Sequence, residues 1–131
     1  MKQYTYSKSE RLKSRKQIQT LFKKGKSITQ YPVRVVFYFV PQQSNINCLA
    51  GFSVSKKHFS NAVDRNRIKR QMREAYRLQK PHLVANIPEQ LQLQLMFIYI
   101  GRQKSSSIKI GSQLNLIIKQ LSKHAFEVNV N

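Results

Sequence analysis

Residues 55–77, SKKHFSNAVDRNRIKRQMREAYR, constrain the fold more than any other stretch of the chain. Asn61 is a favoured helix N-cap, and the acid Asp64 falls in the first turn, where the helix dipole favours negative charge. The pattern predicts a helix over 62–79, closed by Pro81. Wound at about 100° per residue, Ile68, Met72, Ala75 and Tyr76 fall on one side, while Asn66, Lys69, Arg70, Arg73 and Arg77 share an arc of about 100° on the other. One side must pack on a core, and the other is cationic. Lys56, Lys57, Arg65 and Arg67 bring the segment to eight basic residues against two acids, Asp64 and Glu74.

The charge extends beyond this helix. Twenty-four Lys and Arg stand against five Asp and Glu, a net +19 in 131 residues. Two segments, Lys2 to Lys26 and Lys56 to Lys80, carry +15 of it. A solvated helix face normally mixes signs, because like charges one turn apart, such as Lys69 and Arg73, repel. A nearly pure cationic stripe, rich in the planar fork of arginine, suits phosphate oxygens. It reads as a nucleic-acid surface, and the self-repulsion of +19 calls for a polyanionic partner.

With 40% hydrophobic residues the chain is too apolar for a disordered basic tail, and its length suits one domain over 1–131. Ser14 and Gln17 match a capping box, and Ile18, Leu21 and Phe22 recur at helical spacing up to Gly25, which predicts a first helix over 15–24. VRVVFYFV (33–40) and CLAGFSVS (48–55) are β-branched and aromatic runs, read as two neighbouring antiparallel strands. LMFIYI (95–100) supplies a third strand, and Leu114, Ile117, Ile118, Leu121 and Ala125 define a last helix over Gln113 to Phe126. The order helix, strand, strand, helix, strand, helix predicts an α+β two-layer sandwich with helices on a small sheet. Residues 1–13 read as a flexible basic arm and 127–131 as a tail.

Several functions are disfavoured. No apolar run approaches the roughly 20 residues of a membrane span, the N-terminus has no secretory h-region, and the apolar stripe at 68–76 is short for a membrane-surface helix. A lone Cys48 in an apolar run fits a reducing compartment, the cytoplasm. His58, His82 and His124 lack ligand spacing, so no metal site is expected. Five scattered acids do not make the carboxylate cluster of a self-sufficient nuclease. Arg102 and Lys104 suit an RNA contact and a solvated loop equally.

GFSVSKK followed by NAVDRNRIKRQMREAYR resembles the protein subunit of bacterial ribonuclease P, whose signature joins a Ser-Val-Ser-Lys-Lys strand end to an Arg-Asn-Arg-Ile-Lys-Arg helix start. The similarity runs over residues 10–126. It implies a ribosomal protein S5 domain 2-like fold with a left-handed βαβ crossover, a handedness that the general rule would not have given. It implies further that the chain assists a catalytic RNA which removes the 5′ leader of precursor tRNA. In that case the protein has no catalytic residue of its own. Magnesium is held by the RNA subunit, the protein alone binds no cofactor stably, and the partners are that RNA and precursor tRNA, with neither DNA nor membrane.

Carried over residue by residue, the resemblance gives Lys56, Lys57, Arg65, Asn66, Arg67, Lys69, Arg70 and Arg73 as RNA contacts, with Arg77 added from the helical stripe. It places the leader in a cleft between the first helix and the sheet. Phe22 matches one family aromatic there, whereas Ile18 stands where another aromatic is common. On the first predicted strand, period two puts Arg34, Val36 and Tyr38 on one face and Val33, Val35, Phe37 and Phe39 on the other. The Arg34 face is the better cleft candidate. The runner-up class is another basic RNA-binding protein, such as a ribosomal or chaperone protein, which would lack the RNRIKR helix.

Overall fold

The computed structural model describes residues 6–42 and 44–130, the last two of these by backbone alone. Its elements are α1 (Arg15–Lys24), β1 (Lys26–Gln30), β2 (Val33–Pro41), β3 (Cys48–Val54), α2 (Ala62–Val84), β4 (Leu91–Tyr99) and α3 (Ser107–Val130). The strands form one sheet in the order β1-β2-β4-β3.

The first predicted helix lies where the capping pattern puts it. The Ser14 hydroxyl accepts the Gln17 N–H at 3.3 Å, and Gly25 ends α1. A Cβ at Gly25 would collide with the carbonyl oxygens of Leu21 and Phe37, so close backbone approach requires the glycine. The chain then turns into β1, a strand absent from the sequence reading. KSITQ is polar because β1 is an edge strand, and Ile28 alone of its residues packs against the main core. It pairs with β2 in an antiparallel hairpin, Ile28 opposite Val35, closed by Tyr31 and a cis Pro32.

The two predicted strands are not neighbours. β4 lies between them, antiparallel to β2 with Val35 opposite Phe97, and parallel to β3 with Ala50 opposite Leu95. Because β3 and β4 are parallel, they need a crossover, and α2 provides it. As the central strand, β4 is covered on both faces and begins four residues earlier than LMFIYI suggests. Gln92 and Gln94 are buried there, with Gln92 donating to the Ile46 carbonyl at 2.8 Å and Gln94 donating to Gln92 at 3.1 Å.

Alternation decides which face is core. Val33, Val35 and Phe37 of β2 and Leu93, Leu95, Phe97 and Tyr99 of β4 point to the side covered by α2 and α3. There they meet Ile68, Met72, Tyr76 and Leu83 of α2 and Ile110, Leu114, Ile117, Ile118 and Leu121 of α3. Each such side chain removed from water stabilises the fold by roughly 1.5–3 kcal/mol. α1 lies on the opposite face with a smaller cluster, Leu12, Leu21, Val36 and Met96. The α+β sandwich therefore carries α1 as a partial third layer.

Three boundaries differ from expectation. α2 runs through Pro81 to Val84 rather than ending at 79, because the lost N–H, a cost of roughly 3 kcal/mol, is set against the core burial of Leu83 two residues on. α3 starts at Ser107, where the Ser106 hydroxyl accepts the Lys109 N–H at 3.1 Å, and continues to Val130, so the expected tail from 127 is helical as far as described. Residues 6–13, expected within a flexible arm, pack as a strap along the free edge of β3. Residues 1–5 and 131 lie outside the described residues.

Candidate nucleic-acid interface

α2 is fixed before it presents anything. The Asn61 side chain accepts the Val63 N–H at 2.8 Å and starts the helix. Ile68, Met72 and Tyr76 then seat one side in the core, with the Tyr76 hydroxyl 3.2 Å from the Cys48 sulfur. Burial pushes the Cys48 thiol up to about 12, so it stays protonated and inert. The opposite side is left to water. Lys56 and Lys57 at the tip of the β3–α2 loop are exposed, as are Asn66, Arg67, Arg70 and Arg73 on the helix, and Lys69 is half-buried. Among the described residues, none of these six cations makes a side-chain hydrogen bond or ion pair.

The acids are placed elsewhere. Glu10 pairs with Lys80 in a buried contact, Glu74 with Arg77 on the surface, and Asp64 with Lys104 at 2.9 Å. The hydrogen bond from Arg77 holds the Glu74 carboxyl below its ordinary range. Among the described residues no three of His, Cys, Asp and Glu are grouped to hold a metal ion. No described helix is long and apolar enough to cross a membrane.

The strap meets the cationic face at its edge. Leu12 donates its N–H to the Ala50 carbonyl at 2.9 Å, extending the β3 edge. Tyr6 donates its hydroxyl to the same carbonyl, and its ring stands edge-on to Phe52 and Tyr76 at 5.4 and 5.8 Å. Burial pushes that hydroxyl up to about 12, against the pull of the Arg11 and Arg73 charges. Tyr6, Arg11, Lys13, Phe52, Lys69 and Arg73 thus line one open hollow.

A family model described as Ribonuclease P matches residues 6–125. The chain belongs to the ribonuclease P protein family. It is 45% identical over 87 residues to the ribonuclease P protein component of Porphyromonas gingivalis, a match covering 66% of this chain and 63% of that one. The chain thus spans under two thirds of that relative. The Staphylococcus carnosus component is 30% identical over 116 residues, covering 86% of this chain and 98% of that one. Among solved structures, the Staphylococcus aureus RNase P protein superposes with a TM-score of 0.66 at 29% identity, over 86% of this chain and 94% of that one.

Within the family frame, the expected RNA contacts divide. Lys56, Lys57, Asn66, Arg67, Arg70 and Arg73 are exposed, and Lys69 is half-buried among them. Arg65 does not join them, because its guanidinium Nη1 donates to the carbonyls of Phe59 and Ser60 at 2.8 and 2.9 Å and ties the β3–α2 loop to the helix. Arg77 lies on the stripe but is engaged by Glu74.

The cleft residues divide as well. Ile18 and Tyr38 are half-buried around the α1 cluster, and Val36 is only 6% exposed within it, a floor more than a contact surface. Phe22 projects from α1 at 50% exposure, so the structure leaves it outside the core. Arg34 is exposed on β2, with its guanidinium 3.5 Å from the Ser27 hydroxyl. Arg11 and Lys13, placed by the sequence in a flexible basic arm, stand beside Lys69 and Arg73. The Glu10–Lys80 pair that fixes the strap joins residues 70 apart and cannot be inferred from local pattern.

Proposed function

We propose that this chain is the protein subunit of a ribonuclease P. It binds the catalytic RNA through the cationic face of α2 and its preceding loop, and the 5′ leader of precursor tRNA in the cleft beside α1. It thereby assists endonucleolytic removal of the leader to give the mature tRNA 5′ end, in the cytoplasm. The observation that carries the reading is the set of six cations, Lys56 and Lys57 on the β3–α2 loop and Arg67, Lys69, Arg70 and Arg73 on α2, without an ionic partner among the described residues. Counterion release from phosphates is the free-energy source such a face supplies.

The leader part of the reading is supported by half-open apolar and aromatic side chains, Ile18, Phe22 and Tyr38, on a sheet face that also carries Arg34. Unstacked bases pack on aromatic side chains whatever their sequence. Among the described residues no three of His, Cys, Asp and Glu are grouped, and three of the five acids are paired with cations. The reading gives metal-assisted hydrolysis to the RNA, and to the protein positioning and charge compensation.

Reconstitution tests this. Purified protein alone should leave precursor tRNA uncut, and adding its cognate RNA subunit with Mg²⁺ should give cleavage at the mature 5′ end. Site-specific cutting by the protein without RNA, surviving nuclease controls, would overturn the assignment of roles.

A further inference from the structure

We propose that the strap and α2 together form a second phosphate seat for RNA, in the hollow at the free edge of β3. This deepens the reading of the chain as an RNA-binding subunit and rests on it. Arg11 and Lys13 come from the strap and Lys69 and Arg73 from α2, so the hollow has cationic walls on two sides where the rest of α2 offers one. A concave site lined by one sign of charge focuses its potential and binds an anion more strongly than a flat face does. The guanidinium of Arg11 sits 5.7 Å from the centre of the Tyr6 ring, which orders it without spending its hydrogen-bond donors on a carboxylate. Both Arg11 and Arg73 act on the Tyr6 hydroxyl electrostatically, so the two charges converge on one place.

No acid lines the hollow, although the strap contains one. Glu10, next to Arg11, is turned inward. Its carboxylate accepts the Ser7 N–H at 2.9 Å and the Ser7 hydroxyl at 2.7 Å, and pairs with Lys80 at a side-chain exposure of about 10% for both partners. Burying this pair costs desolvation, and burial holds the Lys80 ammonium below the usual lysine range. The arrangement removes an acid from the hollow and pins the strap against α2. Glu10 is thus a positioning residue, acting through Arg11 and Lys13.

The test compares Arg11→Gln/Lys13→Gln with Lys119→Gln/Lys123→Gln, an equal charge change on exposed α3 positions, using the full chain. Binding to single-stranded oligouridine is measured across a salt series, and the melting shift with inorganic pyrophosphate is measured against chloride at matched ionic strength. The strap pair should bind about tenfold more weakly and lose about 1.4 from the magnitude of the salt slope, two single-strand contacts at roughly 0.7 each. The α3 pair should keep its slope. Glu10→Gln should speed hydrogen exchange at the Leu12 amide and lower the slope while circular dichroism shows the fold intact.

Equal slopes and affinities for the strap and α3 pairs would overturn the seat. A strap pair that loses only the pyrophosphate shift would make the hollow a free-anion site and overturn the RNA assignment. Release of Leu12 in Glu10→Gln with an unchanged slope would equally remove the strap from the seat, and a still-protected Leu12 would remove Glu10 from its role. No binding of oligouridine by the unaltered chain at any salt concentration would instead sink the RNA-binding reading itself, which keeps the two failures apart.

Discussion

The two faces of the sheet are built to different degrees of closure. Under α2 and α3, Val35, Phe37, Leu95 and Phe97 are at most 3% exposed, and aromatic rings meet at close range, Phe52 stacked on Phe97 at 5.3 Å and Tyr76 tilted to Phe97 at 5.5 Å. Under α1, four side chains are buried, while Ile18, Tyr38, Leu49 and Ile98 around them stay partly open. Apolar surface left in water forgoes roughly 25 cal/mol per Å², and α1 is too short to cover more of this face. The closed face seats α2 in the core, and the half-closed face leaves apolar side chains partly open. The proposed leader cleft lies on the side of the sheet opposite the main core.

Substitutions that remove one side's contribution should break the contrast most sharply. Tyr76→Ala deletes a fully buried ring that contacts Tyr6, Phe52 and Phe97, and should cost about 3–5 kcal/mol in urea unfolding. Phe22→Ala, measured the same way, should stay within about 0.5 kcal/mol of the unaltered chain, as surface changes do. A large loss there would return Phe22 to the core and close the supposed cleft.

Next in size is the cationic face. Arg67→Ala with Arg70→Ala should weaken assembly with the RNA subunit by about 1.5–3 kcal/mol per lost charge-assisted contact, read by filter binding. The melting temperature should barely change, since neither side chain has a hydrogen bond or ion pair among the described residues to lose. Arg65→Ala sharpens the comparison, because it should lower the melting temperature through the freed Phe59 and Ser60 carbonyls.

The smallest expected effect concerns the strap. The Tyr6 hydroxyl stays protonated to about 12 in the folded chain and titrates near 10 in the unfolded one. Its contribution is therefore full below about pH 10 and is lost as the pH rises toward about 12. Tyr6→Phe should flatten the alkaline decline of stability in that window, as followed by urea midpoints at stepped pH. An unchanged decline would mean that Tyr6 is not buried in solution.

The sequence pattern foretold those elements whose evidence is local. Ser14, Gly25 and Asn61 mark helix ends with side-chain or backbone chemistry at fixed offsets, and each lies where the pattern puts it. The apolar stripe Ile68, Met72 and Tyr76 gave the buried side of α2, and the alternation at 33–39 gave the two faces of β2. What escaped was set by tertiary contact. β1 is polar because it is an edge, and β4 entered between two strands that adjacency in sequence suggested should pair. Pro81 failed to stop α2 because Leu83 had a core to enter. In the site, the cationic stripe was legible, but the diversion of Arg65 and Arg77 and the approach of Arg11 and Lys13 depend on partners that spacing does not reveal.

The division between an assembly face and a leader cleft is most directly tested on the reconstituted holoenzyme, by measuring the affinities of Phe22→Ala and Tyr38→Ala for precursor and mature tRNA side by side. Precursor tRNA alone should weaken, by about 1–3 kcal/mol per lost stacking contact, with assembly and circular dichroism unchanged. Equal losses for both tRNA forms from normally folded variants would contradict the account.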